Sequence, residues 1–304
     1  MKVLITGSTG LVGTALVKAL VRDGHTVCRL VRPQSVTSGG AKEGFDVAWS
    51  PVTGELGGAG VGADAVVNLA GASIAEGRWT QERKELLRAS RIDTTRALVN
   101  ALAKTNVRPR VLVSASAIGI YGSRGDEVLT EESKPGTEFL ADLAREWEAE
   151  AIKAEALGIR VVLARFGIIL ARHGGALPRM ILPFKLGVGG RVGPGKQWVS
   201  WITLEDVVAI IRLAMENETV RGAVNVAAPN AVQNADFTKV LAQALHRPAL
   251  FPAPAFALRL ALGEMADALL LSSQRVKPQA LQRLGYRFLH SELSAAMNAI
   301  LQNG

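Results

Sequence analysis

The residues Thr6-Gly7-Ser8-Thr9-Gly10-Leu11-Val12-Gly13 space their glycines three apart and place small hydroxyl side chains between them. That pattern suits close approach of the backbone to a pyrophosphate. Gly7 permits a tight turn, Gly10 leaves the backbone open to phosphate, and Gly13 lets a helix pack closely on a strand. The turn follows the apolar run Val3–Ile5 and opens a helical pattern, which is the context such glycines need to bind a dinucleotide. Free N–H groups and the positive dipole end of that helix would face the phosphates. Gly7, Ser8, Thr9, Gly10, Leu11 and Val12 are the expected cofactor residues here.

The end of the second strand decides which dinucleotide. An acid there would hydrogen-bond the ribose 2′-hydroxyl, but Val31 holds that place and Arg32 follows it. A guanidinium is a planar fork of donors that suits a 2′-phosphate. The expected cofactor is therefore NADP(H), with an exposed loop arginine as the alternative reading of Arg32. Trp49, ending the third strand, either walls the adenine or packs in the core. Leu69, Ala70 and Gly71 end the fourth strand, where small residues let backbone lie against the cofactor. Ser114-Ala115-Ser116 closes the fifth strand at the depth expected of the nicotinamide. Ser114 either faces that ring or satisfies local backbone groups, and Ser116 is the better candidate for chemistry.

Positioning these residues requires a sheet covered by helices. Strand patterns fall at Val3–Thr6, Thr26–Val31, Asp46–Trp49, Ala65–Leu69, Arg110–Ser114, Arg160–Phe166 and Ala223–Ala227. Helical patterns intervene at Leu11–Asp23, over one long stretch from Thr80 to Lys104, and at Phe139–Glu155 and Leu204–Met215. This alternation predicts an α/β fold, a doubly wound parallel sheet of the Rossmann type. Residues 1–170, completed by 202–228, form the expected dinucleotide-binding part. Residues 171–201 and 229–304 form a smaller, mostly helical substrate part. The glycine-rich, basic stretch from Gly174 to Lys196 reads as a mobile functional loop, and its Gly187–Gly195 part would close over substrate.

Composition narrows the function classes. Of 304 residues 48% are apolar and 20% charged, the balance of a globular chain rather than a disordered one. The lone Cys28 excludes an internal disulfide framework and any CxxC metal cage, and four scattered histidines argue against structural zinc. No apolar run reaches the ~18 residues of a membrane span. The N-terminus lacks the pattern of a signal peptide. The net charge of +8 comes without an arginine-rich tract, so nucleic acid is not an expected partner. The expectation is a cytoplasmic protein, or one of an organelle stroma or matrix if a transit peptide has been removed. It acts as a monomer or homodimer on a small molecule, without membrane or nucleic-acid partners.

The glycine turn, the Asn68-Leu69-Ala70-Gly71 segment, the run Ser114-Ala-Ser-Ala-Ile-Gly-Ile-Tyr121-Gly and the returning Trp201-Ile-Thr-Leu-Glu-Asp206 resemble the extended short-chain dehydrogenase/reductases. More closely, the chain is similar to an atypical "epimerase family protein" branch, a cell-division-inhibitor-like homologue of nucleotide-sugar epimerases. Arg78-Trp79, Ser90-Arg91, Trp147-Glu148, Gly174-Gly175-Ala176 and Ser273-Gln274-Arg275-Val276 carry that likeness. The resemblance implies the fold, NADP(H) and a substrate pocket under the C-terminal part. It also implies a Tyr-x-x-x-Lys pair for proton transfer, yet Phe139 and Leu143 stand there. Ser116 would then polarise a carbonyl, and Tyr121 is the first candidate proton donor, against its reading as an aromatic packed in a tight turn. Glu146 and Glu148 follow as weaker candidates. Arg191 or Lys196 would substitute for the arginine this family places near Val199. The alternative function is a catalytically weak or inactive NADP(H) sensor acting through a protein partner.

Overall fold

The computed structural model describes residues 1–33, 36, 44–52, 54, 56 and 62–302. Its sheet has seven strands: β1 Lys2–Thr6, β2 Thr26–Val31, β3 Phe45–Ala48, β4 Ala65–Asn68, β5 Val111–Ala117, β6 Arg160–Phe166 and β7 Gly222–Val226. Their order across the sheet is β7-β6-β5-β4-β1-β2-β3, and every neighbouring pair is parallel. The chain steps outward from β1 to β3 and then returns to β4 on the other side of β1. The carboxyl ends of β1 and β4 therefore flank a crevice where the order reverses, the place where open α/β sheets take ligands.

Helices α1 Leu11–Arg22, α2 Gln81–Arg88, α3 Thr94–Ala103, α4 Phe139–Ile152 and α6 Leu204–Glu216 pack with the sheet, and α5 Leu177–Lys185 and α7 Asn234–Ala244 belong to a separate core. Strands covered on both faces are apolar at consecutive positions, and β1 shows how the two faces divide. Val3 and Ile5 pack with Leu16, Val17 and Leu20 of α1 and with Val207, Ile210 and Ile211 of α6. Leu4 packs on the opposite face with Leu98, Val99 and Leu102 of α3. A further core joins α5, α7 and the C-terminal helix Leu293–Gln302 through Phe184, Trp201, Phe237, Leu241 and Met297.

Three expectations change. The single helix expected from Thr80 to Lys104 is α2 and α3 joined by a π-helical turn over Ala89–Asp93. Strand β5 continues past Ser114 to Ala117, because its partner β6 pairs with it as far as Phe166. A helix, α5, lies in the glycine-rich region that reads as loop in sequence. The returning Asp206 has a structural role. Buried at the start of α6, it accepts the backbone N–H groups of Leu289 and His290 and the hydroxyl of Tyr286. Among the described residues no helix is long and apolar enough to cross a membrane.

Candidate functional site

The glycine turn owes its shape to close backbone approach. Gly7 has φ +65°, and a Cβ there would lie 2.5 Å from the Leu69 carbonyl oxygen. A Cβ on Gly13 would lie 2.2 Å from the Gly7 oxygen, so the first turn of α1 sits directly on the loop. Thr6 ties the two strand ends together. Its hydroxyl donates to Asn68 Oδ1 at 2.7 Å and accepts the N–H groups of Leu69 and Ala70. Asn68 Nδ2 in turn donates to the hydroxyls of Thr95 and Ser114. Thr6, Asn68 and Ser114 thus form one register row across β1, β4 and β5. Ser114 is fully buried in that row and satisfies its neighbours.

The turn fits a phosphate-bearing cofactor on an observation of its own. The Ser8 hydroxyl is buried within it and has no hydrogen-bond partner, beside the α1 N-terminus whose N–H groups need acceptors. Thr9 and Gly10 are exposed, and Leu11 and Val12 half-buried. Arg32 is exposed just beyond β2, with no ion pair among the described residues. Trp49 instead packs into the core with Cys28, Leu30 and Val47, its indole nitrogen buried and unpartnered.

The second group of expected residues lies one strand over. Ser116, Arg165 and Asn225 occupy one register row of β5, β6 and β7. The Ser116 hydroxyl donates to Glu148 Oε1 of α4 at 2.6 Å. Arg165 grips both oxygens of Glu148 at 2.8 Å and donates to the Tyr121 hydroxyl at 2.9 Å. Tyr121 donates to Asn225 Oδ1 at 2.7 Å. Tyr121 is 0% and Ser116 2% exposed, so this polar chain lies beneath the crevice floor. Burial pushes the Tyr121 phenol up, partly offset by the charge of Arg165. For the Arg165 guanidinium, burial works downward, yet the bonds and charge of Glu148 hold it above its ordinary value.

Above that row the helix α4 carries apolar side chains. Leu143 is buried with Leu87, Ile92, Ala115 and Trp147, and Phe139 meets the Trp79 ring edge-on at 5.3 Å between centroids. Among them stands Arg91, on the π-helical turn, where helix geometry often departs at functional sites. Its guanidinium lies over the Trp147 ring, donates to the carbonyls of Ala72 and Leu87, and would be 3.1 Å from a Cβ on Gly71. Burial, and secondarily the nearby Arg83, lowers it to about 10. It therefore stays protonated at neutral pH.

Different segments than expected surround the crevice. Gly174 and Gly175, not the Gly187–Gly195 stretch, pack on Leu11 of the glycine turn. The latter stretch is fastened elsewhere: Ala253 N–H bonds Arg191 oxygen, Val192 N–H bonds Asn234, and Phe251 N–H bonds Gly189 oxygen. Arg191 lines an open basic groove of about 1000 Å³ with Lys239, His246 and Arg247 of the α7 side, a groove that none of the crevice residues line. Ser273 and Gln274 are also accounted for. Gln274 donates to the carbonyls of Ile118 and Gly122, and Ser273 bonds Gly125, fixing the segment after β5. No cluster of metal-ligating side chains occurs among the described residues.

Residues 3–227 match the NAD dependent epimerase/dehydratase family, and residues 253–300 match a domain of unknown function, DUF1731. The chain belongs to the NAD dependent epimerase/dehydratase family. It is 42% identical over 296 residues to the epimerase family protein Mb2239 of Mycobacterium bovis, covering 97% of this chain and 96% of that one. It is 41% identical to the epimerase family protein YfhF of Bacillus subtilis, covering 99% and 98%. The crystal structure of the human epimerase family protein SDR39U1 (isoform2) with NADPH superposes with a TM-score of 0.87 at 31% identity, covering 100% of both chains. The doubly wound fold and the "epimerase family" resemblance expected from the sequence are thereby established.

Membership in the family does not bring its proton-transfer pair to this chain, because α4 carries Phe139 and Leu143 within an apolar cluster. Arg91 and Arg165 are the site residues that sequence reasoning missed as such. Arg165 had a legible signal, a charge following the apolar run Val161–Ala164 within a strand. Arg91 stood in the Ser90-Arg91 pair that carries the family likeness, but the π-helical turn that aims it is not written in local propensity.

Proposed function

We propose that this chain binds NADP(H) in the crevice and acts as an oxidoreductase or epimerase-like protein on a small carbonyl or sugar-like compound. The observation that carries the reading is the glycine turn pressed against Leu69, with the unpartnered Ser8 hydroxyl inside it and Arg32 exposed beyond β2 without an ion pair among the described residues. The human relative's crystal structure with NADPH supports the choice of nucleotide. Gly7 through Val12 would hold the pyrophosphate, Arg32 the 2′-phosphate, and Leu69, Ala70, Gly71 and Ala115 would offer backbone and small side chains to the rest. The nicotinamide, when bound, supplies or accepts hydride.

In this reading Ser116 and Tyr121 act as positioning residues. The single proton of the Ser116 hydroxyl goes to Glu148, so it is not free for a substrate oxygen. Tyr121 has its hydroxyl shared between Arg165 and Asn225. Trp49 and Ser114 likewise support the site from the core. Residues 1–170 with 202–228 would form the nucleotide part, and 171–201 with 229–304 would shape the substrate side.

Fluorescence titration with NADPH and NADH on wild type and Arg32→Ala tests this. NADPH should bind more tightly than NADH. Arg32→Ala should erase about tenfold of that preference, the size of one charged hydrogen bond. Absence of binding by either nucleotide would end the proposal. A second reading, an NADP(H) sensor with little turnover, gains support from the apolar Phe139 and Leu143. It predicts nucleotide binding without carbonyl reduction, together with nucleotide-dependent capture of a partner protein.

A further inference from the structure

The loop after β4 is held by arginines from three separate elements. Arg91 of the π-helical turn donates to Ala72 oxygen, Arg83 of α2 to Ser73 oxygen, and Arg179 of α5 to Ala75 oxygen. Carbonyl dipoles are their main acceptors. Among the described residues Glu76 is the only carboxylate paired with any of the three, at 3.6 Å from Arg83, and its side chain is 62% exposed. Arg83 Nε is buried without a partner. Arg91 is close enough to Gly71, itself exposed at the crevice, that a Cβ there would touch its Cζ.

Holding the partly buried Arg91 and Arg83 near one another with so little counter-charge is unfavourable, and an anion placed beside them would offset that penalty. Arginine is the side chain whose fork matches carboxylate and phosphate oxygens. Leu143 sits in the same apolar cluster as Trp147, over whose ring the Arg91 guanidinium lies. A cation from another element thus lies against the same apolar cluster in which α4 presents Leu143.

We infer that Arg91, with Arg83 near it and Arg179 on the same loop at Ala75, forms an oxyanion-binding site at the Gly71–Ala75 side of the crevice, taking a carboxylate or phosphate group. The oxyanion comes either from the dinucleotide or from a substrate bearing an acidic group. The second source rests on the proposed carbonyl-reducing or epimerising reading, whereas the site itself does not.

The test is calorimetric titration of the purified chain with inorganic pyrophosphate, with NADPH, and with oxalate added to the NADPH-loaded protein. The proteins are wild type, Arg91→Met, Arg91→Lys and Glu76→Gln, with far-ultraviolet dichroism checking the fold. Wild type should bind pyrophosphate or oxalate, Arg91→Met should lose about tenfold, and Arg91→Lys should recover only part, since it restores charge without the fork. Glu76→Gln removes an exposed counter-charge and should tighten anion binding, a result that survives even if Arg91→Met folds poorly. An Arg91→Met defect in NADPH affinity identifies the cofactor as the source. Normal NADPH affinity with lost oxalate binding identifies an acidic substrate. Pyrophosphate binding that depends on Arg91 without any NADPH binding keeps this site and ends the NADP(H) reading. The inference is overturned if wild type binds none of these anions, or if Arg91→Met and Glu76→Gln both bind them as wild type does.

Discussion

The Ser116 hydroxyl donates to Glu148 across 2.6 Å, and Glu148 is gripped on both oxygens by Arg165. The serine at the end of β5 is thereby locked to α4 through a buried ion pair, itself joined to Tyr121 and Asn225. An ion pair so placed keeps its partners only because both charges and the remaining lone pairs are satisfied.

Glu148→Gln should therefore be destabilising by about 3–5 kcal/mol, because it strands the Arg165 charge in the interior. Urea unfolding gives the value. The double variant Glu148→Met with Arg165→Met should lose less than the single Glu148→Gln change. A double variant worse than the single would show that the pair contributes net stability rather than mutual compensation.

Gly13→Ala and Gly10→Ala should separate folding from binding. A Cβ on Gly13 meets the Gly7 oxygen at 2.2 Å, whereas on Gly10 the nearest atom is at 3.3 Å. The first substitution should destabilise by about 1–3 kcal/mol, as overpacking does, and should weaken NADPH binding as well. The second should fold normally and lose NADPH affinity, because its methyl occupies the path of the pyrophosphate. Thermal melts paired with fluorescence titrations read both effects.

Rebuilding the family's pair by Phe139→Tyr with Leu143→Lys should not raise carbonyl-reducing turnover above that of wild type. Leu143 is 3% exposed. A lysine there would lie in an apolar cluster whose Trp147 carries the Arg91 guanidinium. Burying that ammonium in an apolar cluster should reduce stability by about 2–5 kcal/mol. Phe139→Tyr alone, at the half-buried edge of Trp79, should be nearly neutral. A double variant as stable as wild type, with higher turnover, would refute this role for the apolar face of α4.

Alkaline titration reports on just two phenols, because Tyr121 and Tyr286 are the only tyrosines. Burial raises both phenols, and for Tyr286 the charge of Asp206 adds to it. The folded state favours the protonated phenol in each case. Their contribution to stability is full below the unfolded value of about 10 and is lost as pH rises beyond it toward the folded values. Tyrosinate absorbance should thus stay absent at the ordinary phenol midpoint and then appear together with unfolding. A separate, reversible rise near that midpoint would place at least one phenol in water.

Much of the nucleotide end of the fold is legible residue by residue. The turn Thr6–Gly13 and the apolar runs at Val3–Ile5 and Ala65–Val67 depend on neighbours a few positions away. Glycine's freedom at Gly7 follows from chain geometry alone, and the unbroken apolar run of β1 already implies burial on both faces. Arg32 after β2 is readable for the same reason.

Other features were decided only when the chain closed on itself. Ser116, Arg165 and Asn225 are remote in sequence and become neighbours because β5, β6 and β7 pair in one register. That register places the Ser116 hydroxyl on Glu148 and takes the Tyr121 phenol into the core, where the sequence allowed a proton donor. The π-helical turn at Ala89–Asp93 rotates Arg91 toward Gly71, and the Gly174-Gly175 loop reaches Leu11 from the far side of the chain. Local sequence sets the conformations each segment can adopt. Strand order, register and the packing of one helix on another choose which side chains meet, and those are properties of the whole chain.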